Sequence, residues 1–389
     1  AYCFARENQG ENQGETQEIE GQNIFARVRL ASVSKLVTTL WAIDTLGANY
    51  KYKTKLSIKG SHLHIAGSLD PFMGNEKMFF LLSQLNDLGY TKFDTITFDK
   101  NLLIFPDAQY EVDEYPVINA ASNTRNLKKY FNTGSWSADT KQEYLNYFAI
   151  AKPGKFRKEV NFEVSNIQAV DKNPFENDST AKVLTLSSPA LYKYLKEMNT
   201  KSNNYVAETI FRQLGGVTKF QQYLSQQYNL LDDKIRFYSG SGLPTFINGE
   251  RKDNYATCST MTELVSELKN IVEKQNREIE DVVAVPGSDR GTFRNRIFPS
   301  DYKNSFVAKT GTLMHTSTLS GMMNTKKGFS YFGIFNQSTD IGGSKAVQNS
   351  MVVSIMTKMG GPVAFNYEVD GFHTYFGDIM KLFENEGNS

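Results

Sequence analysis

The chain has little of what most often gives a function away. Cysteine occurs twice, at Cys3 and Cys258, and histidine four times in 389 residues. Two cysteines cannot build a disulfide-dense scaffold, and one separated pair does not by itself decide whether the two bond. Of the histidines, only His62 and His64 stand close together; on a strand they would share one face, with His315 and His373 far off. No carboxylate or cysteine cluster accompanies them, so they read as surface strand residues, and no metal or organic cofactor is expected. Charge of one sign is also missing: 43 Lys and Arg against 42 Asp and Glu leave a formal net charge of +1. That balance indicates neither a basic surface for nucleic acid nor an acidic tail, and no nucleic-acid partner is expected. No apolar run approaches the roughly eighteen residues of a membrane helix, so no transmembrane segment is expected. Repeats and long low-complexity tracts are absent. The first residue is Ala1 rather than methionine, which fits removal of a signal peptide as well as a trimmed start.

What is present is a set of three short motifs in one order: Ser32-Val-Ser-Lys35, Ser202-Asn-Asn204 and Lys309-Thr-Gly-Thr312. The first is weak alone, since Ser-x-x-Lys also begins at Ser179, Ser266 and Ser300. The setting of Ser32 separates it. Leu36, Val37, Leu40, Trp41, Ile43 and Leu46 form an apolar stripe at helical spacing that stops at Gly47. Ser32 is thus expected in the first turn of a buried helix, with Lys35 one turn later on the same face. The alternative is an N-cap serine and a solvated lysine. Ser202 and Asn204 lead into a helix bearing Val206, Ile210 and Phe211, where capping and turn chemistry compete with a catalytic reading. Lys309-Thr-Gly closes the strand-like run from Ser305, and Gly311 would let a ligand backbone approach the strand, because no Cβ intervenes. Helix start, loop into helix and strand are the settings that a serine nucleophile, its lysine base, a second proton-handling hydroxyl and an anion-binding strand require.

The layout supports one catalytic fold with an insertion. A strand at Tyr2–Arg6 and another near Ile24–Arg29 precede the Ser32 helix. Residues 52–150 mix strands (53–58, 95–98) with helices (76–88, 140–151). From about residue 151 the chain reads as helices at 188–199, 204–214, 217–228 and 260–275, then strands at 305–309, 318–323 and 329–335, and a last helix near 345–359. Residues 1–51 and 151–389 are therefore expected to form a discontinuous catalytic domain, and 52–150 an inserted domain.

With these residues in view, the chain resembles the class C low-molecular-mass penicillin-binding proteins, the D-alanyl-D-alanine carboxypeptidase/endopeptidase family S13. The resemblance extends to Arg29–Gly47, to Ala66-Gly-Ser-Leu-Asp-Pro71, to Ser188–Asn199, to Gly240-Ser-Gly-Leu243 and to Pro286–Arg296. It implies an α+β transpeptidase-like fold, an antiparallel sheet flanked by helices, with a smaller inserted α/β domain. It also implies a serine D,D-peptidase that acts on peptidoglycan stem peptides and cross-links and is acylated by β-lactam antibiotics. By the same resemblance Ser32 is the nucleophile, Lys35 its base and Ser202 the proton relay. Asn204, Lys309, Thr310, Gly311 and Thr312 would bind substrate, and the backbone N–H groups of Ser32 and Thr312 would form the oxyanion hole. A wall-directed enzyme implies a periplasmic or otherwise extracytoplasmic location. Two departures stand out. The segment between the first two motifs is shorter than in long family members. And where the family often has an arginine after Gly-Ser-Gly-Leu, this chain has Pro244-Thr245, leaving Asp113, Glu114 and Tyr115 as candidates for side-chain recognition. The competing functions are a serine β-lactamase, an esterase using the same pair, and a non-catalytic peptidoglycan- or penicillin-binding protein. The first is disfavoured by Tyr238-Ser-Gly-Ser-Gly242, which stands where a lactamase would carry its deacylating glutamate.

Overall fold

A computed structural model describes residues 1–7, 18–110, 116–369 and 380–384. The chain divides into two units. The first comprises Ala1–Tyr50 and the described part of Leu191–Asp370; the second comprises Lys51–Tyr110, the described part of Glu114–Ala190 and Lys381–Glu384.

The first unit is built on a five-stranded antiparallel sheet, with strand order Phe306–Leu313, Thr316–Thr325, Gly328–Asn336, Tyr2–Arg6 and Glu20–Gln22. The three late strands carry near-continuous burial rather than strict alternation, because both faces of the sheet are covered. On one side the helix Ile341–Lys358 inserts Val352, Ile355 and Met356 among Phe4, Phe306, Leu319, Phe332 and Ile334. The helix Cys258–Lys274 packs against Gly328–Asn336, Thr316–Thr325 and the helix Ser34–Leu46. The two cysteines bond to one another, with S–S 2.04 Å, tying the first strand to the start of the helix Cys258–Lys274 across 255 residues. Tying ends so far apart removes much loop-closure freedom from the unfolded chain.

The second unit has a six-stranded mixed sheet, ordered Lys381–Glu384, Lys182–Ala190, Lys51–Lys59, His62–Ala66, Lys92–Phe98 and Glu163–Ala169, the last three parallel. Parallel neighbours need a crossover. The helix Asn75–Asp87 supplies the first, and Ala120–Tyr130 with Ala138–Ile150 the second. Phe79 packs edge-on or tilted against Tyr130, Trp136 and Tyr144, fixing these helices by aromatic contact.

Several expectations need correction here. The second unit does not end at residue 150: the strands Glu163–Ala169 and Lys182–Ala190 belong to it, and the helix expected from Ser188 begins at Leu191. Pro189 accounts for the misreading. It ends a strand instead of starting a helix, and its missing N–H coincides with the register shift opposite Lys51 and Lys53. The hydroxyl of Ser188 accepts from the Tyr52 N–H at that break. His64 is fully buried rather than on the surface, because its strand lies inside the sheet; His62 and His64 do share a face, and both meet the Thr97 hydroxyl. Among the described residues no helix is long and apolar enough to cross a membrane.

Candidate active site

Ser32 lies in a 3-10 turn, Ala31–Val33, that runs directly into the helix Ser34–Leu46, one step ahead of the helical turn expected for it. Ala31 enters this turn with φ +48°. The left-handed region costs a residue with a Cβ about 1 kcal/mol, so it persists only where the surroundings impose it. They do so through a polar net: the Leu30 N–H donates to the Asn254 carbonyl, the Thr318 hydroxyl to the Leu30 carbonyl, and Asn254 Nδ2 to Ser34 Oγ. Across Ala31–Ile43, Ser32 alone is not buried.

Lys35, three residues on, is completely buried. Its Nζ lies 2.9 Å from Ser32 Oγ, 2.7 Å from Asn204 Oδ1 and 2.8 Å from the Ser241 carbonyl oxygen. A neutral amine has two N–H groups and one lone pair. Asn204 Oδ1 and the Ser241 carbonyl can only accept, so they take the two N–H groups, and the lone pair is left toward the Ser32 hydroxyl. Such an amine is placed to remove that proton, and the ammonium so formed keeps all three partners.

Ser202 and Asn204 flank the start of the helix Asn204–Gln213, and the capping role falls to the residue between them. Asn203 Oδ1 accepts from the Val206 N–H, which leaves Asn204 to face Lys35. Ser202 has φ +60°, a second non-glycine residue in the left-handed region beside the cluster. Its hydroxyl accepts from Lys309 Nζ at 2.9 Å, and the same amine donates to the Thr310 carbonyl at 2.8 Å. Lys309 is fully buried, like Lys35.

Lys309-Thr-Gly-Thr312 lies on the edge strand Phe306–Leu313, paired among the described residues on one side only, with Thr316–Thr325. The Ala308 N–H donates away from the sheet to the Ala284 carbonyl. Strand alternation turns the N–H groups of Thr310 and Thr312 to that same open side, and Thr312 is solvent-exposed. The reason for glycine at 311 differs from the one expected. A Cβ there would lie 2.2 Å from Thr318 Oγ1, 2.8 Å from the Leu30 carbonyl and 3.0 Å from Ala31 Cβ. Its space is filled by the protein's own Ser32-bearing turn, not left open for a ligand.

Three residues near these motifs have no role assigned from the sequence, although Ser241 and Thr292 lie in the family-like segments Gly240–Leu243 and Pro286–Arg296. Ser241 contributes its carbonyl, Glu208 accepts from the Ser241 N–H at 2.8 Å, and Thr292 Oγ1 accepts from Thr310 Oγ1 at 2.9 Å. Glycines betray two of these places. A Cβ at Gly242 would lie 1.9 Å from the Ala31 carbonyl oxygen, and one at Gly291 would lie 2.1 Å from that of Thr200. Thr292 is held by its N–H to the Thr200 carbonyl, and the loop before it by a buried ion pair, Lys196–Asp289 at 2.6 Å. Burial pushes the Lys196 amine below its ordinary range, against the opposing pull of Asp289. Asp113, Glu114 and Tyr115 lie outside the described residues.

The arrangement holds one half-buried hydroxyl against a buried amine, a second hydroxyl against another buried amine, and an edge strand with outward N–H groups. That is equipment for acyl transfer through a serine ester.

Comparison with known proteins points the same way. The model of the D-Ala-D-Ala carboxypeptidase 3 (S13) family matches residues 11–115 and 163–358. Among solved structures, Bd3459, a predatory peptidoglycan endopeptidase from Bdellovibrio bacteriovorus, is 27% identical with a TM-score of 0.89, over 99% of this chain and 98% of that one. The same protein has been seen acylated by penicillin G. Bd0816, a predatory endopeptidase of the same organism, is 29% identical with a TM-score of 0.84, over 94% of this chain and 95% of that one. Penicillin-binding protein 4 of Haemophilus influenzae shares the fold at 18% identity and a TM-score of 0.57, over 90% of this chain and 96% of that one. Comparison with curated protein sequences gave no match.

Proposed function

The chain belongs to the D-Ala-D-Ala carboxypeptidase 3 (S13) family, and from that premise we propose that Ser32 is its nucleophile, Lys35 the base and Ser202 the proton relay. It is a serine D,D-peptidase acting on peptidoglycan and open to acylation by β-lactams. In the acylation step Ser32 Oγ bonds to the carbonyl carbon between two D-residues, and its proton passes to Lys35 Nζ. The C–N bond breaks as Ser202 gives a proton to the leaving amine, with Lys309 Nζ, 2.9 Å away, restoring it. Water then attacks the ester carbonyl, its proton replacing the one Lys309 gave up through Ser202, while the Lys35 ammonium returns its proton to Ser32 Oγ as the ester C–O bond breaks and the acid leaves. The N–H groups of Ser32 and Thr312 hold the oxyanion. Asn204 orients Lys35 and bonds the substrate backbone. The substrate extends along the open edge of Phe306–Leu313, adding a strand as edge-binding peptides do, past Gly311, with its terminal carboxylate on Lys309 and the Thr312 hydroxyl, and Thr310 contributing its outward N–H while its hydroxyl is held by Thr292.

The observation that carries this reading is the Ser32–Lys35 contact of 2.9 Å, with Asn204 Oδ1 and the Ser241 carbonyl fixed around the same amine. Residues 1–50 and 191–370 serve as the catalytic domain, interrupted by the second unit as an inserted domain. Cleavage of cross-links is the favoured activity over trimming of terminal D-alanine, supported by the endopeptidase relatives and by the short insertion. The Cys3–Cys258 bond supports action outside the cytoplasm, where peptidoglycan and oxidising conditions coincide. Rates on a purified cross-linked muropeptide dimer and on its uncross-linked pentapeptide test the preference. A faster rate on the dimer is expected; activity confined to the pentapeptide would overturn it.

A further inference from the structure

Glu208 stands four residues after Asn204 on the helix Asn204–Gln213, so the two side chains leave one face of the helix. It is buried, and its Oε1 accepts from the Ser241 N–H at 2.8 Å, while the Ser241 carbonyl accepts from Lys35 Nζ at 2.8 Å. One residue is thus held between a carboxylate and the amine that contacts the candidate nucleophile. The glycines on either side make this close fit possible. A Cβ at Gly240 would lie 2.4 Å from Phe211 Cβ and 2.8 Å from the Ala207 carbonyl, and one at Gly242 would strike Ala31. The segment is therefore wedged between the helix that carries Asn204 and Glu208 and the turn that carries Ser32.

A backbone N–H does not need a charged acceptor; a glutamine would satisfy it. Burying a carboxylate is costly, so its charge calls for an explanation beyond that hydrogen bond. Lys35 supplies one, since attack by Ser32 turns it from an amine into an ammonium. We propose that Glu208 is a positioning residue that fixes the Ser241 carbonyl against Lys35 and gives the ammonium formed there a buried counter-charge. This rests on the reading of Lys35 as the base. The two groups are separated by two hydrogen bonds and one residue, within about 9 Å, where a charge in a buried site is felt strongly. The sign follows. Glu208 favours protonated Lys35, so its removal leaves a weaker base that is free of its proton at lower pH.

The test is the second-order rate of acylation by a fluorescent penicillin across pH 5 to 10 for the wild type, Glu208→Gln and Glu208→Asp, with Ser32→Ala alongside. Charges elsewhere on or near the surrounding elements, among them Asp44, Glu197, Lys201, Arg212, Lys219 and Lys309, are the same in all variants. Glu208→Gln keeps an acceptor for the Ser241 N–H. Its acid limb should move down by about one pH unit and its plateau fall about tenfold. Glu208→Asp should keep the wild-type midpoint and lose about threefold or more in rate, because the carboxylate is withdrawn by one methylene. A Glu208→Gln profile that superposes on wild type overturns the inference. If Glu208→Gln does not fold, Glu208→Asp decides: a wild-type rate in that variant overturns it. Labelling that persists in Ser32→Ala would instead refute the nucleophile assignment and leave Glu208 aside.

Discussion

Each unit of the protein buries a lysine on a helix near its first turn, and the two are handled in opposite ways. Lys77, in the second unit, sits beside the Asp70 carboxylate, whose other oxygen accepts from the Phe72 N–H. Burial lowers the Lys77 pKa, and the adjoining carboxylate opposes that shift. Its charge has a partner in direct contact, and it works as a structural peg for the Asp70-Pro turn. Lys35, in the first unit, meets a hydroxyl, an amide oxygen and a backbone carbonyl, all of which suit amine and ammonium alike. A lysine in contact with a carboxylate holds a fold together; a lysine whose contacts include a hydroxyl, an amide oxygen and a backbone carbonyl is placed to exchange a proton. Burial alone does not separate them. The partners do.

Substitutions at the two lysines should therefore fail differently. Lys35→Met is expected to abolish acylation by penicillin, by more than about a thousandfold, with thermal unfolding close to wild type; acylation within tenfold of normal would break the contrast. Lys77→Met strands a buried carboxylate and should destabilise by about 3–5 kcal/mol, read by denaturant unfolding, while replacing Asp70 as well by a leucine should recover most of the loss. If the double variant is no better than the single one, Lys77 is not a peg of this kind. Gly311→Ala sharpens the geometry at the first site. Its new methyl must displace Thr318, Leu30 or the Ser32 turn, so acylation should slow about ten- to a hundredfold. Thr292→Val removes the acceptor for the Thr310 hydroxyl and should weaken substrate binding about three- to tenfold, seen in KM more than in kcat.

The smallest effect concerns pH. Burial raises the Glu280 carboxyl to about 7, so between about 4.5 and 7 the folded protein binds more protons there than the unfolded chain does. Stability from this group is complete below the lower value and is lost as pH rises through the upper one. Glu280→Gln should therefore become more stable relative to wild type on going from pH 5 to pH 8; a constant difference in Tm across that range would contradict this.

The sequence carries the elements with strong periodicity and the motifs with chemistry in them. The Ser32 helix, the strand carrying Lys309-Thr-Gly, which runs on to Leu313 beyond the expected 305–309, and the helix after Asn204 are legible, because their signals are local. The strands Glu163–Ala169 and Lys182–Ala190 are not, since their short mixed patterns gain meaning only from the sheet that receives them. The site is legible in its side chains and opaque in its backbone. Nothing in a motif announces that the Ser241 carbonyl meets Lys35, that Asn203 caps so that Asn204 need not, or that Gly311 yields its space to Leu30 and Ala31. Two of the most informative backbone signals, Ala31 and Ser202 at positive φ, belong to residue types that give no hint of that conformation.

The most direct measurement is the intact mass of the protein after treatment with penicillin, followed by peptide mapping of the adduct. A single added penicilloyl group, on the peptide that contains Ser32, is the result expected. A folded protein that gains no mass, or one that carries the adduct on any other residue, would contradict the assignment of Ser32 and Lys35 as the reacting pair.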